Sequence, residues 1–188
     1  MDREPGRSRG VIEARSQPAP DVEGSSWERL ETLYRTSRDD VYAYVATLLR
    51  DPAAAEDVTA VAFERAYRRR TTFDRRRGVE RAWLFGIARN AALDELRRRK
   101  RVAALVVDPE DVSAPSVADG AEVALRRTAV RSAIAALNGR EREIVALKFH
   151  GGLTNGEIGR VLGLSETAAG TLLYRTMEKL RRACDADG

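Results

Sequence analysis

The sequence predicts an all-α fold of two small helical domains joined by a flexible linker. Apolar residues recur at three- and four-residue steps in both halves of the chain, and no stretch alternates like a strand over a useful length. Residues 25–101 carry 18 basic and 12 acidic side chains, and residues 125–188 carry 11 and 7. Between them, residues 102–124 hold five acidic side chains, no basic ones and two prolines. Two basic blocks separated by an acidic strip indicate two modules that meet polyanions.

Composition narrows the class of protein. The chain has 188 residues, 43% of them hydrophobic and 33% charged, and it lacks both a membrane-length apolar run and the apolar core of a secretory signal. Cys184 is the single cysteine and His150 the single histidine, so an internal disulfide or a Cys/His zinc site cannot form. We therefore expect a cytoplasmic protein without metal or other cofactor.

The first helix is predicted to follow a disordered tail, residues 1–24, which is polar and contains three prolines. Ser25 and Glu28 have the spacing of a capping box. An interruption near residues 37–40 is left open. The apolar face of this helix is Leu30, Leu33, Tyr34, Val41, Tyr44, Val45 and Leu48.

A second helix is predicted from about Ala53 to Arg70. Asp51 suits the N-cap, and Pro52 suits the first helical position, where a missing N–H is tolerated. Its buried stripe is Val58, Ala62 and Ala66. The loop 71–78 that follows is dense in cations and contains one aromatic residue, Phe73.

The third helix, Trp83 to Arg101, has two unlike faces. One is apolar: Leu84, Phe85, Ala88, Ala92 and Leu96. The opposite face is polar and largely basic: Gly86, Asn90, Asp94, Arg97, Arg98 and Arg101. Such a face is typical either of a nucleic-acid surface or of a solvated helix whose terminal cations complement the helix dipole.

The second half predicts a helix-turn-helix. A helix ending at Asn138-Gly139 and another from Arg140 to His150 come first. Thr154 and Glu157 form a capping box for a short helix, Gly163 suits a tight turn, and Ser165 caps a longer helix. The residues predicted to point inward on that last helix are Ala168, Ala169, Leu172, Leu173, Met177 and Leu180. An antiparallel helix pair is the plainer interpretation of this segment.

Catalytic motifs are missing from the sequence. It contains no Gly-rich phosphate loop, no paired catalytic carboxylates on a recognisable scaffold and no His/Cys nucleophile arrangement. We expect a protein that is not an enzyme and has no catalytic residues.

Two blocks of motifs resemble the extracytoplasmic-function (ECF, group IV) sigma factors of the sigma-70 family. The first block resembles sigma region 2 and comprises Glu56-Asp57-Val58-Thr59, Phe63 to Tyr67, Phe73-Asp74, Arg77-Gly78 and Arg81 to Asn90, with Asp94 to Arg98. The second resembles region 4 and comprises Arg140 to Glu143, Leu153 to Leu164 and Tyr174 to Arg181. The implied organisation is a tail (1–24), region 2 (25–101), a linker (102–124) and region 4 (125–184).

The resemblance implies an alternative sigma factor that directs promoter recognition and transcription initiation. Its partners would be core RNA polymerase (clamp helices and flap), promoter DNA and an anti-sigma factor, and the free protein would be a monomer. The implied core-polymerase-binding residues are Glu56, Asp57, Ala60, Val61 and Phe63. Those for the −10 element are Phe73, Asp74, Arg75, Arg76, Arg77, Trp83, Arg89, Asn90, Arg97 and Arg98. Those for the −35 element are Ser165, Glu166, Thr167, Gly170, Thr171, Tyr174 and Arg175.

Two departures from the family pattern bear on these surfaces. Ala60-Val61 stands where Gln-Glu is common, and Gly170 and Leu172 replace a Lys and an Arg. An alternative function, from the helix-turn-helix alone, is a dimeric transcriptional regulator that binds a palindrome without polymerase. An RNA-binding helical protein would explain the basic runs but not the region 2 pattern.

Overall fold

The computed structural model describes residues 22–73, 79–103 and 130–186, and within these ranges every regular element is helical. The helices are α1 (Val22–Leu49), α2 (Pro52–Arg68), α3 (Glu80–Ala103), α4 (Gly139–Phe149), α5 (Asn155–Leu162) and α6 (Glu166–Ala186), with a 3₁₀ turn at Arg70–Thr72. Residues 130–135 are also helical. The all-α prediction is confirmed. In these ranges, no helix combines the length and the apolar character that crossing a bilayer requires.

The first three helices form one bundle. Helices α1 and α3 run side by side in the same direction, because Arg29 pairs with Glu80 near their starts and Asp51 with Arg99 near their ends. Their shared core contains the fully buried rings of Tyr44 and Phe85, 5.4 Å apart and nearly edge to face. The predicted stripes of α2 and α3 are buried in this bundle, apart from Leu96, which is half-buried.

The helix starts in this bundle follow the local sequence in one of two places. The Asp51 carboxylate accepts a hydrogen bond from the Ala54 amide (3.1 Å), and Pro52 is the first residue of α2, as predicted. The prediction that Ser25 caps α1 is wrong, because the helix begins at Val22 and includes Ser25. Helix α1 is also continuous through residues 37–40. The predicted tail before Val22 lies outside the described residues.

The second half builds the predicted helix-turn-helix from α5 and α6. Thr154 and Glu157 form the capping box of α5, Gly163 adopts a positive φ of 69° in the turn, and the Ser165 hydroxyl accepts a hydrogen bond from the Ala168 amide (3.1 Å). Asn138, expected to end a helix, instead caps the start of α4 in a further capping box with Glu141.

The inward face predicted for α6 is partly wrong. Ala169 is buried, and Leu172, Leu173 and Leu180 are half-buried, but Ala168 and Met177 are exposed. Thr176, which was not predicted to be buried, is nearly inaccessible to solvent and donates to the Leu172 carbonyl (2.8 Å).

Two glycines are expected to respond to alanine in opposite ways. A Cβ at Gly159 would lie 2.7 Å from the Leu164 carbonyl oxygen, so Gly159→Ala must push the turn backbone aside and should destabilise the protein by about 1–3 kcal/mol. At Gly86 nothing lies within 4 Å of a Cβ, so Gly86→Ala should stabilise α3 by about 0.5–1 kcal/mol. Urea unfolding measures both free energies, and a stabilising Gly159→Ala would contradict this tight turn.

Candidate nucleic-acid interface

The exposed face of α6 carries five of the residues predicted to read the −35 element. Glu166, Thr167, Thr171, Tyr174 and Arg175 are exposed, at spacings that keep one side of a helix. The Tyr174 side chain is 68% exposed. A face of hydroxyl, carboxylate and guanidinium groups on the second helix of a helix-turn-helix suits contacts with base edges and phosphates in the major groove.

The other two predicted −35 residues help to position that face. Ser165 caps α6, as described above, although its side chain is exposed. Gly170 is half-buried, and a Cβ there would lie 3.2 Å from the Asn155 amide nitrogen. Glycine therefore lets α6 pack closely on the start of α5, where the lysine common in the family would need Asn155 to move.

The basic end of α3 is partly neutralised within the helix. Arg97 pairs with Asp94 (3.3 Å), while Arg98 and Arg99 both bind the Glu95 carboxylate (2.7 and 2.8 Å). These two guanidinium groups, through hydrogen bonds first and charge second, lower the pKa of Glu95 from 4.5 to about 2. Arg97 and Arg98 are exposed, so each can reach a phosphate after exchanging its carboxylate partner.

The low pKa of Glu95 predicts a loss of stability in acid. Because the folded-state pKa lies below the unfolded-state value, the contribution of Glu95 is fully present above pH 4.5 and is lost as pH falls toward 2. Glu95→Gln should cost about 0.5–1 kcal/mol near neutral pH, a modest figure because the pairs are partly exposed. The difference from wild type should vanish near pH 2 in urea unfolding. Glu64→Gln, which breaks an exposed pair with Arg68, is the control and should cost less.

The residues predicted to bind the −10 element are spread over several sites. Phe73 and Trp83 are half-buried with ring centroids 5.4 Å apart, so they form one aromatic surface. Asn90 is exposed on α3. Residues 74–77, which include the predicted Asp74, Arg75, Arg76 and Arg77, lie outside the described residues.

Arg89, also predicted to bind the −10 element, is held by the other half of the chain. Its Nε donates to the Glu143 carboxylate of α4 (2.7 Å), and the Tyr44 hydroxyl donates to the same oxygen (3.2 Å). Glu143 is only 8% exposed. Burial, reinforced by the negative charge of Glu143, raises the pKa of Tyr44 well above its ordinary value, so the hydroxyl remains protonated. Arg89 therefore links the two halves and is not free for DNA in this arrangement.

Arg81 makes the second link between the halves. Its guanidinium donates to Ser37 Oγ (3.0 Å) and Asp40 Oδ2 (2.6 Å) on α1, and to the carbonyls of His150 (2.9 Å) and Gly151 (2.5 Å) after α4. It thus satisfies two carbonyls at the end of α4, a position that favours cations. Sequence reasoning placed neither Arg81 nor Glu143 in a site, since no local pattern shows that residues so distant in sequence meet.

The residues predicted to bind polymerase lie on α2. Glu56, Asp57 and Ala60 are exposed and Val61 is half-buried, so these four side chains offer an accessible surface. Phe63 is buried, with its ring packed edge-on against Tyr34 at 4.8 Å. Phe63 therefore contributes mainly to the core beneath this surface.

Comparisons with known proteins agree with this geometry. Residues 33–102 match the family model of Sigma-70 region 2, and residues 127–180 match that of Sigma-70, region 4. The ECF RNA polymerase sigma factor BldN of Streptomyces coelicolor is 35% identical over 159 residues, which cover 82% of this chain and 60% of BldN. The ECF RNA polymerase sigma factor SigK of Mycobacterium tuberculosis is 28% identical over 171 residues, covering 87% of this chain and 90% of SigK.

Two solved structures share the fold. The sigma factor RpoE in complex with the anti-sigma factor NepR from Bartonella quintana aligns with a TM-score of 0.67 at 18% identity, covering 86% of this chain and 99% of that one. CnrH, in complex with the cytosolic domain of CnrY, aligns with a TM-score of 0.60 at 24% identity, covering 86% and 91%. With two sigma-70 models matching in the order region 2 then region 4, and ECF relatives aligning along more than four fifths of its length, the chain belongs to the sigma-70 family as an alternative RNA polymerase sigma factor of the ECF type.

Proposed function

We propose that this group IV sigma factor divides its work among three surfaces: α2 binds core RNA polymerase, α3 with the loop before it binds the −10 element, and α6 reads the −35 element. The observation that carries the proposal is the exposed polar face of α6 on a capped helix-turn-helix, joined in one chain to a separate bundle with its own basic helix. A helix-turn-helix regulator would need the first feature but not the second.

For the −35 element, the proposed contacts come from Glu166, Thr167, Thr171, Tyr174 and Arg175. Their side chains are exposed together, and Ser165 and Gly170 hold the helix that carries them. Arg175 suits a phosphate or the edge of a guanine, and Thr171 can reach a base or a phosphate. With Gly170 and Leu172 in place of cations, we expect a smaller share of phosphate contacts here.

For the −10 element, the proposed contacts are stacking on Phe73 and Trp83, base recognition by Asn90, and phosphate contacts from Arg97, Arg98 and the loop arginines 75–77. Aromatic rings beside cations suit an unstacked base and its backbone. Arg89 joins them once Glu143 moves away, so DNA binding through Arg89 requires the two halves to separate.

For core polymerase, the proposed surface is the exposed side of α2, with Phe63 supporting it from within. Asp57→Ala should weaken binding to core polymerase by about tenfold, or about 1.4 kcal/mol, because it removes an exposed charge without disturbing the bundle core. A pull-down titration with purified core enzyme measures this, and circular dichroism checks the fold.

The matched control for that titration is Asp39→Ala on α1. The Asp39 side chain is 93% exposed and pairs with Arg38, so its removal alters charge equally without touching α2. If Asp57→Ala and Asp39→Ala bind polymerase as tightly as wild type, α2 is not the polymerase surface.

We further propose an anti-sigma partner, a monomeric free state and a cytoplasmic location. Solved relatives of the same fold are bound to NepR and to the cytosolic domain of CnrY, which supports a regulatory partner. The proposed units remain region 2 at 25–101, a linker at 102–124 and region 4 at 125–184. Sizing of the free protein separates the monomer from a dimeric regulator.

A further inference from the structure

An open apolar groove of about 630 Å³ runs between helical residues 130–135, α4 and α6. Its walls include Val130, Ile134, Val145, Phe149 and Met177. Phe149 is 64% exposed, and Val130 and Met177 are exposed as well. So much exposed apolar surface in one concave site favours an occupant.

The segment 104–129 leaves the described structure and returns to it beside this groove. At its far end, Val130 is itself part of the groove wall. At its near end, α3 stops at Ala103, one helical turn after Arg99, which binds Asp51 (2.8 Å). Asp51 in turn lies one helical turn after Thr47, which lines the groove. Both ends of the segment therefore meet the groove rim.

The rim of the groove also carries uncompensated positive charge. Arg142 lines the groove, and its guanidinium donates to the Leu137 carbonyl. Burial and the nearby charge of Arg50 lower the pKa of Arg142. Among the described residues, no carboxylate lies within 4.0 Å of either arginine. An acidic partner at this rim would relieve the repulsion between them.

The segment 104–129 begins with the complementary chemistry. Leu105, Val106 and Val107 form an apolar run, followed at once by Asp108, Glu110 and Asp111. Four residues beyond Ala103 can extend by up to about 13 Å, enough to carry the run from the end of α3 into a groove of this size. Apolar side chains followed by acids match an apolar groove with a basic rim.

We propose that Leu105, Val106 and Val107 occupy this groove, with the acids that follow them lying against Arg50 and Arg142. The chain thereby covers its own apolar surface. A partner protein that uses the groove must first displace this segment.

Cys184, which lines the groove and is the only cysteine of the chain, allows a direct test. Val106→Cys should form an intramolecular disulfide with Cys184 at least tenfold faster than Val117→Cys, a matched valine later in the same segment. Oxidation of the full chain at low concentration, read by mass spectrometry and non-reducing gels, gives both rates. Equal rates, or disulfide-linked dimers as the main product of Val106→Cys, would overturn the proposal.

A second arm needs no new cysteine. Alkylation of Cys184 should be at least fivefold faster when Leu105, Val106 and Val107 are replaced together by aspartate. The control replaces Ser113, Ala114 and Val117 by aspartate, which adds the same charge to the same segment, and should leave the rate as in wild type. An unchanged rate in the first variant, or equal acceleration in both, would contradict docking of the apolar run.

Discussion

Phe85→Ala is expected to lower the free energy of unfolding by about 4 kcal/mol, the largest stability effect expected among the substitutions considered. The Phe85 ring is fully buried at the centre of the α1–α3 bundle. It packs on Tyr44, which binds Glu143, and it lies 5.3 Å beneath the guanidinium of Arg81. Its removal leaves a cavity under both links between the halves.

Urea unfolding of the full chain measures this loss, with Tyr174→Ala as the control. Tyr174 is also aromatic but is 68% exposed, so its truncation should change stability by less than about 0.5 kcal/mol. Equal losses in the two variants would mean that Phe85 is not the packing centre described above.

Arg81→Ala is expected to cost about 3 kcal/mol and to separate the two halves. The substitution leaves buried Ser37 and the carbonyls of His150 and Gly151 without the cation they bind, and it leaves Asp40 without its ion pair. Removing one partner from a partly buried charged network typically costs this much, because the groups left behind remain desolvated.

Unfolding free energy and small-angle X-ray scattering together test this expectation. The radius of gyration should increase in Arg81→Ala, since the other named link, Glu143 with Tyr44 and Arg89, remains alone. Arg38→Ala removes an exposed pair with Asp39 and should change neither quantity measurably. An Arg81→Ala protein as stable and as compact as wild type would show that this guanidinium does not hold the halves together.

The features that sequence reasoning predicted well are local ones. The Asp51 and Ser165 caps, the capping box of Thr154 and Glu157 and the turn at Gly163 each depend on residues within a few positions of one another. The buried stripes of α2 and α3 follow from helical periodicity in the same way.

The errors and omissions have a different physical origin. Ser25 is a good cap in isolation, but α1 begins upstream of it at Val22, so the local signal was overridden. Met177 has helical spacing to buried residues, yet it borders the open groove instead of the core. Arg81 and Glu143 act across sequence separations that carry no periodic signal, so their role as links could not be read from the chain.

The same long-range contacts change the interpretation of the DNA-binding surfaces. Arg89 was predicted from its place on α3 to meet DNA, but its guanidinium is bound to Glu143. Arg97 and Arg98 were interpreted as phosphate contacts, and each has an acidic neighbour one turn away. Binding to promoter DNA must therefore exchange internal ion pairs for phosphate contacts, a balance that shifts with salt.

The central claim, that this chain directs polymerase to promoters, is tested most directly by run-off transcription on genomic DNA. Core RNA polymerase with the purified chain should produce new transcript starts that share one upstream pair of −35 and −10 sequences at a fixed spacing. Core polymerase alone should not produce them, and Asp57→Ala should reduce their number. Identical transcript starts with and without the chain would contradict its assignment as the promoter-specificity subunit.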